Sequence, residues 1–144
     1  MGESVTEAEV RELVAAAMTA QQRAYAPYSG FAVGAALRAA DGQTYTGCNV
    51  ENASYGLSIC AERNALFHAI AAGQREFEAV AVVTENGVTP CGACRQVLVE
   101  FNPQMAVIVA DTAGNRRVYS LGDLLLDAFG PEHLGRTKDA KRKT

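Results

Sequence analysis

Apolar positions recur at helical spacing in three stretches of the chain and run without interruption in two others. Val10, Leu13, Val14, Ala17 and Met18 fall on one helical face. Thr6 and Glu9, just ahead of them, form the S/T-x-x-E pattern of a capping box and mark a helix start. The pattern predicts a helix to about Tyr25, stopped before Pro27 because the residue preceding a proline avoids helical angles. Ala65, Leu66, Ala69 and Ile70 mark a second helix over Ala61–Ala72, ended by Gly73. Cys94, Val97, Leu98 and Phe101 mark a third, from about Cys91 to Asn102, where Pro103 stops it.

The uninterrupted apolar runs, Ala79–Thr84 and Met105–Ala110, have the character of strands covered on both faces. With the third helix between them they predict a βαβ unit with a right-handed crossover. Upstream, Phe31–Ala39 and Gln43–Val50 flank Asp41-Gly42, a hairpin signal with a loop longer than two residues. Residues 49–59 carry no period. Arg116–Ser120 adds a strand, and Leu121–Phe129 reads as a short amphipathic helix. Strands alternating with helices make this an α/β protein.

Length and composition narrow the picture. A chain of 144 residues and 15.2 kDa has room for one core. It is 49% hydrophobic and 20% charged, a folding composition, but it has 5 Phe, 5 Tyr and no Trp, and much of its apolar content is alanine. Small side chains predict closely packed elements and stability drawn in part from an oligomer interface. The 13 basic and 16 acidic residues give a net charge of −3, which disfavours nucleic acid as a partner. The last nine residues, Arg136–Thr144, hold five of the bases and one acid, so the body is acidic and the end basic. We expect a single domain over residues 1–130 and a basic, mobile tail over 131–144. The polar N-terminus lacks the apolar core of a signal peptide, and no run reaches membrane-spanning length, so the expected location is the cytoplasm, with no membrane partner.

Four cysteines remain: Cys48, Cys60, Cys91 and Cys94. In a reducing compartment, clustered cysteines read as metal or redox centres before disulfides. Cys91 and Cys94 are three apart, on one side of a helix's first turn. A redox pair would leave Cys60 and Glu62 unexplained. Zinc accounts for Cys60, Cys91, Cys94 and Glu62 together: three ligands leave an open position for a water of lowered pKa, and Glu62 stands nearby as a proton carrier. Cys48 has no metal-spaced partner and reads as a buried small hydrophobe. His68 and His133 fit no ligand pattern, and Tyr25 and Tyr28 read as packing residues.

Cys60-x-Glu62 followed by Pro90-Cys91-x-x-Cys94 resembles the signature of the zinc deaminases. The chain is most similar to the small homotetrameric cytidine deaminases. It shares Tyr28-Ser29-x-Phe31-x-Val33-Gly34-Ala35-Ala36-Leu37, the stretch Asn49 to Gly56, and Cys91-Gly92-Ala93-Cys94-Arg95-Gln96. The resemblance runs from about Thr6 to Phe129. It implies a three-layer α/β/α fold, with a mixed central sheet of about five strands and helices on both faces. It implies Zn2+ held by Cys60, Cys91 and Cys94, Glu62 as the catalytic acid/base, and Arg63 hydrogen-bonding to the ligand sulfurs. Substrate contacts implied are Phe31 on the pyrimidine, Asn49 and Glu51 on the ribose, and Ala61. Ala53, Tyr55, Gly56 and Phe129 are implied to complete a neighbouring subunit's pocket. The resemblance also implies hydrolysis of cytidine and deoxycytidine to uridine and deoxyuridine plus ammonia, in pyrimidine salvage. One departure is visible: the family often reads Leu-Leu-Pro near its C-terminal helix, and here the third residue is Leu126.

Chemistry supports parts of this without the resemblance. Three thiolates on a divalent ion leave an excess negative charge; Arg63, beside Glu62, is the first candidate to offset it, with Arg95, beside Cys94, the second. Asn49 and Glu51 are two apart, so in an extended segment they share a face and offer a sugar hydroxyl a donor and an acceptor. That favours a nucleoside over a free base, and the lack of a phosphate-cradling glycine loop disfavours a nucleotide. Two other readings stand behind it: a zinc deaminase for another small substrate, and a zinc-stabilised binding module without catalysis.

Overall fold

A computed structural model describes residues 5–135. Thr6 caps the first helix, α1 (Glu7–Gln21), with the reciprocal capping-box bonds expected: Glu9 N–H donates to Thr6 Oγ1 at 3.1 Å, and Thr6 N–H donates to Glu9 Oε1 at 3.0 Å. Then come β1 (Gly34–Ala39), β2 (Thr44–Cys48), α2 (Ala61–Ala71), β3 (Phe77–Val83), α3 (Gly92–Val99), β4 (Ala106–Ala110), β5 (Arg116–Ser120) and α4 (Leu121–Leu124). The strands form one mixed sheet in the order β2-β1-β3-β4-β5, with only β3 and β4 parallel. That parallel pair, joined through α3, is the expected βαβ unit. Among the described residues no helix is long and apolar enough to cross a membrane.

Alternation along the strands splits the core into two layers. Ala35 and Leu37, Val80 and Val82, and Val107 and Val109 meet Ala65, Leu66 and Leu98 of α2 and α3 on one face. Ala36, Ala79, Ala81, Val83, Ala106, Ile108 and Ala110 meet Val10, Leu13, Val14 and Ala17 of α1 on the other. The result is the three-layer α/β/α arrangement, with one face of the sheet lined mostly by methyl groups.

The small residues draw the helices close, as the alanine content predicts. A Cβ on Gly34 would lie 1.9 Å from Ala17 O of α1, and one on Gly47 would lie 2.4 Å from Ala65 N of α2. Both glycines sit where a helix backbone touches a strand backbone, so no side chain fits between them.

Several boundaries differ from the sequence reading. α1 ends at Gln21, not near Tyr25, because the Tyr25 backbone pairs with Asn49 and Glu51: Tyr25 N–H donates to Asn49 O at 3.0 Å and Glu51 N–H to Tyr25 O at 2.8 Å. Tyr25 and Tyr28 are thereby left half-exposed, not packed inside. β1 begins at Gly34, not Phe31, because the Asn49 side chain takes over the preceding backbone groups. α4 stops at Leu124, short of Phe129: Leu125 is extended and Asp127 adopts φ 52°, so the chain leaves the helix just before Leu126. Cys48 is half-buried, its thiol donating to Arg23 O at 3.5 Å. His68 is structural, stacked edge-on against Tyr45 with Nδ1 3.1 Å from Thr46 O. Of the expected tail, Pro131–Leu134 forms a 3-10 turn, and residues 136–144 lie outside the described residues.

Candidate active site

Cys60 and Cys91 are the N-cap residues of α2 and α3, and Cys94 lies in the first turn of α3. The two helices pack on the same sheet face with their N-termini together, so the positive ends of two helix dipoles meet where three sulfurs gather. The three Sγ atoms all lie within 4.8 Å of one another. Thiolates about 2.3 Å from a tetrahedral zinc are about 3.8 Å apart. Cys60 Sγ and Cys91 Sγ are 3.8 Å apart, and Cys91 Sγ and Cys94 Sγ 3.5 Å. The donor set is soft and the spacing is that of zinc, so the residues fit the ion.

Charge is unevenly shared among these groups. The Cys60 thiol is held down at about 5, chiefly by the neighbouring Cys94 and then by Arg63. Cys94 is pushed up by the neighbouring Cys60 and by burial. Arg63 Nη2 donates to Cys60 Sγ at 3.5 Å, the cation on thiolate expected from sequence, and its own pKa rises in consequence. Arg63 Nε is buried with no hydrogen-bond partner among the described residues. Glu62, in the first turn of α2, is 4% exposed. Burial first, and the Cys60 charge after it, raise its carboxyl to about 7, where a group gives and takes protons with equal ease near neutral pH.

A cavity of about 270 Å³ opens onto these groups. Cys60, Cys91 and Glu62 line it at one end, and Phe31, Asn49 and Glu51 line it as well. Asn49 is buried and tied to the Phe31–Val33 backbone: its Oδ1 accepts from Val33 N–H at 2.9 Å and its Nδ2 donates to Phe31 O at 2.8 Å. One amide hydrogen and one lone pair of that side chain are left for a ligand. Glu51 is held below the usual carboxylate range, first by the Ser29 hydroxyl and also by the Ser29 and Tyr28 N–H groups.

Other expected site residues lie apart from this cavity. Ala61 is fully buried in the core and does not line it. Tyr55, 76% exposed in the 3-10 turn Tyr55–Leu57, lines a separate cleft beside Glu51, and Gly56 shares its turn. Ala53 is exposed in the loop before that turn. Phe129, 57% exposed, lines a third cavity with Val99, Pro103 and Pro131 and stacks on His133.

Sequence reasoning missed Thr84, Val88 and Thr89, which line the cavity in the loop after β3. The signal was there: open sheets with parallel strands bind ligands beyond strand C-termini, and this loop leaves one. Thr84 Oγ1 shapes the loop by accepting Gly87 N–H at 2.8 Å and Val88 N–H at 3.1 Å. Arg95, considered as a second cation for the sulfurs, instead donates to Pro90 O at 2.7 Å, Thr89 Oγ1 at 2.8 Å and Leu124 O at 2.6 Å. It ties the segment leading to Cys91 to the end of α4.

Residues 8–110, which include every side chain named at the thiol end of the cavity, match the family model of the cytidine and deoxycytidylate deaminase zinc-binding region. The chain belongs to this family. A cytidine deaminase of Sporosarcina psychrophila is 48% identical over 129 residues, covering 88% of this chain and 95% of its own length. A cytidine deaminase of Mycobacterium tuberculosis is 46% identical over 117 residues, covering 80% of this chain and 85% of its own. The solved structure of cytidine deaminase from Burkholderia pseudomallei superposes with a TM-score of 0.80 at 56% identity, over 83% of this chain and 98% of that one. Membership in the deaminase family makes the chain a zinc-dependent hydrolase, and the thiol triad is the cluster of the described residues that suits the metal.

Proposed function

We propose that this deaminase hydrolyses cytidine and deoxycytidine to uridine and deoxyuridine, with release of ammonia. The observation that carries the reading is a single cavity joining a buried carboxyl and two of the clustered thiols to a carboxylate and an amide suited to a sugar hydroxyl. Phe31 lines the same cavity, where a flat pyrimidine would pack.

Cys60, Cys91 and Cys94 hold zinc in this reading, with Arg63 offsetting their charge. The bound ion supplies a Lewis acid that brings a water's pKa close to neutral. Glu62 takes one proton from the attacking water and delivers it to the ring nitrogen beside C4. The same carboxylate then takes the second proton, from the new C4 hydroxyl, and passes it to the departing amine, so that C4=O forms as the C4–N bond breaks and ammonia leaves. Burial of its carboxyl suits a group that must act as base and then as acid. Asn49 and Glu51 take the sugar hydroxyl, and the helix N-termini keep the thiolates charged.

Residues 1–130 form the deaminase domain, and 131–144 are a basic appendage the chemistry does not use. Four such chains assemble, with Ala53, Tyr55, Gly56 and Phe129 of each completing a neighbour's pocket. Exposed Tyr55 and Phe129 support an assembly that covers them. All four cysteines are free, which suits pyrimidine salvage in the reducing cytoplasm.

The deciding assay follows ultraviolet absorbance and ammonia with cytidine, deoxycytidine, cytosine and CMP, with and without a zinc chelator. Both nucleosides should turn over and the chelator should stop them; equal turnover of cytosine or CMP would overturn the substrate assignment. Light scattering should give about four times the 15.2 kDa chain mass. Mixing Glu62→Gln and Phe129→Ala chains, each impaired alone, should restore activity if pockets are shared, and no restoration would refute the sharing.

A further inference from the structure

One hydroxyl organises the sugar end of the cavity. Ser29 Oγ donates to Glu51 Oε2 and accepts Phe31 N–H at 2.9 Å. Glu51 Oε1 accepts two more bonds from the same segment, Tyr28 N–H at 3.0 Å and Ser29 N–H at 3.1 Å. Gly30 turns the chain between Ser29 and Phe31 at φ 68°, with its N–H on Ala26 O at 2.9 Å. The carboxylate is therefore aimed before any substrate arrives. The serine that aims it also fixes where Phe31 leaves the turn. Glu51 has spare lone pairs but no proton to give, so a ligand there must be a donor.

We propose that Ser29 is a positioning residue for substrate binding: its hydroxyl holds Glu51 as a fixed acceptor for a sugar hydroxyl. A sugar without a donor hydroxyl at that point loses the benefit. The inference rests on the reading that Glu51 receives the sugar.

The test crosses Ser29→Ala, Ser29→Thr, Glu51→Ala and the Ser29→Ala/Glu51→Ala double variant with cytidine and 2′,3′-dideoxycytidine, which keeps the base but offers neither hydroxyl. Ser29→Ala should raise KM for cytidine about fivefold or more while leaving kcat within about twofold, as expected for a lost hydrogen bond to a charged group. It should alter KM for dideoxycytidine much less. Ser29→Thr, which keeps the hydroxyl, should restore cytidine binding, and the double variant should be no worse than Glu51→Ala. A serine that merely caps its turn would impair both substrates alike and add its effect to that of Glu51→Ala; either outcome overturns the proposal. If Glu51→Ala leaves the preference for cytidine over dideoxycytidine intact, the sugar reading fails and takes the proposal with it. If only Ser29→Ala is silent, the serine's role fails alone.

Discussion

Gly47→Ala should disable the metal site from the far side of the helix that carries it. The added Cβ would stand 2.4 Å from Ala65 N, 2.7 Å from Ala61 O and 2.9 Å from Asn64 C. All three atoms are backbone of α2, and Ala61 O and Ala65 N are four residues apart, the pair an α-helix joins by its own hydrogen bond. No rotamer change relieves such contacts. To reach an ordinary separation of about 3.4 Å, α2 must withdraw from β2 by about 1 Å. Overpacking typically costs about 1–3 kcal/mol. Three backbone contacts below 3.0 Å put this case at the upper end, about 3 kcal/mol. The entropic benefit of replacing glycine, about 0.4–1 kcal/mol, offsets only part of it. The withdrawal also moves Cys60 and Glu62 relative to Cys91 and Cys94 on α3. A misplacement of about 1 Å can lower turnover by about 100-fold. Urea denaturation, bound zinc by elemental analysis and kcat/KM for cytidine measure the two effects. Gly92→Ala, whose Cβ meets nothing within 4 Å, is the stability control and should leave the midpoint unchanged or raise it. A Gly47→Ala protein with the parent's midpoint, zinc content and kcat/KM would refute the reasoning.

Glu62→Gln should keep zinc and lose between about 10² and 10⁴ of kcat, since the ligands stay and the proton carrier goes; near-normal turnover would end its role. Arg63→Ala should fold but weaken zinc retention by about 10- to 100-fold in competition with a chelator; unchanged retention and kinetics would refute the charge-offset argument. In metal-free protein, burial holds the Glu62 carboxyl at about 7, above its ordinary 4.5, so the folded chain keeps a proton that the unfolded chain releases between those values. Its contribution to stability therefore falls as pH rises from 4.5 to 7. The metal-free Glu62→Gln variant, which has no such proton, should gain on the parent by about 3 kcal/mol across that window in urea melts. A pH-independent difference would contradict the shift.

What the sequence disclosed depended on how local the causes were. The capping box, the apolar runs of β3 and β4 and the glycine after α2 act within a few residues, and each element formed where they put it. The cysteine spacing and Glu62 were legible because two helix starts impose their own geometry on Cys60, Cys91 and Cys94. The first strand's true start was hidden, because the carboxamide that occupies the backbone of Phe31–Val33 belongs to Asn49, 16 residues beyond Val33. The early end of α1 was hidden likewise, since Tyr25 pairs with a segment more than 20 residues on. Arg95 illustrates the same limit: next to a metal ligand in sequence it suggested a partner for sulfur, yet its three bonds go to backbone and a hydroxyl. The loop at Thr84–Thr89 became visible as part of the site only once β3 and β4 were known to be parallel.

The methyl-lined face beneath α1 has a consequence for how this protein can change. Alanines at 36, 79, 81, 106 and 110 are completely buried there, and Gly34 lies against the Ala17 carbonyl. Residues already this small offer no side chain to trim when another grows. Heritable variation at these positions is confined to exchanges of nearly equal size. Beneath α2 and α3, Leu37, Leu66, Leu98 and Met105 can trade volume with the valines around them. A laboratory library aimed at altered nucleoside preference therefore has its freedom on the side of the sheet that bears the metal, while the opposite side acts as a fixed base plate.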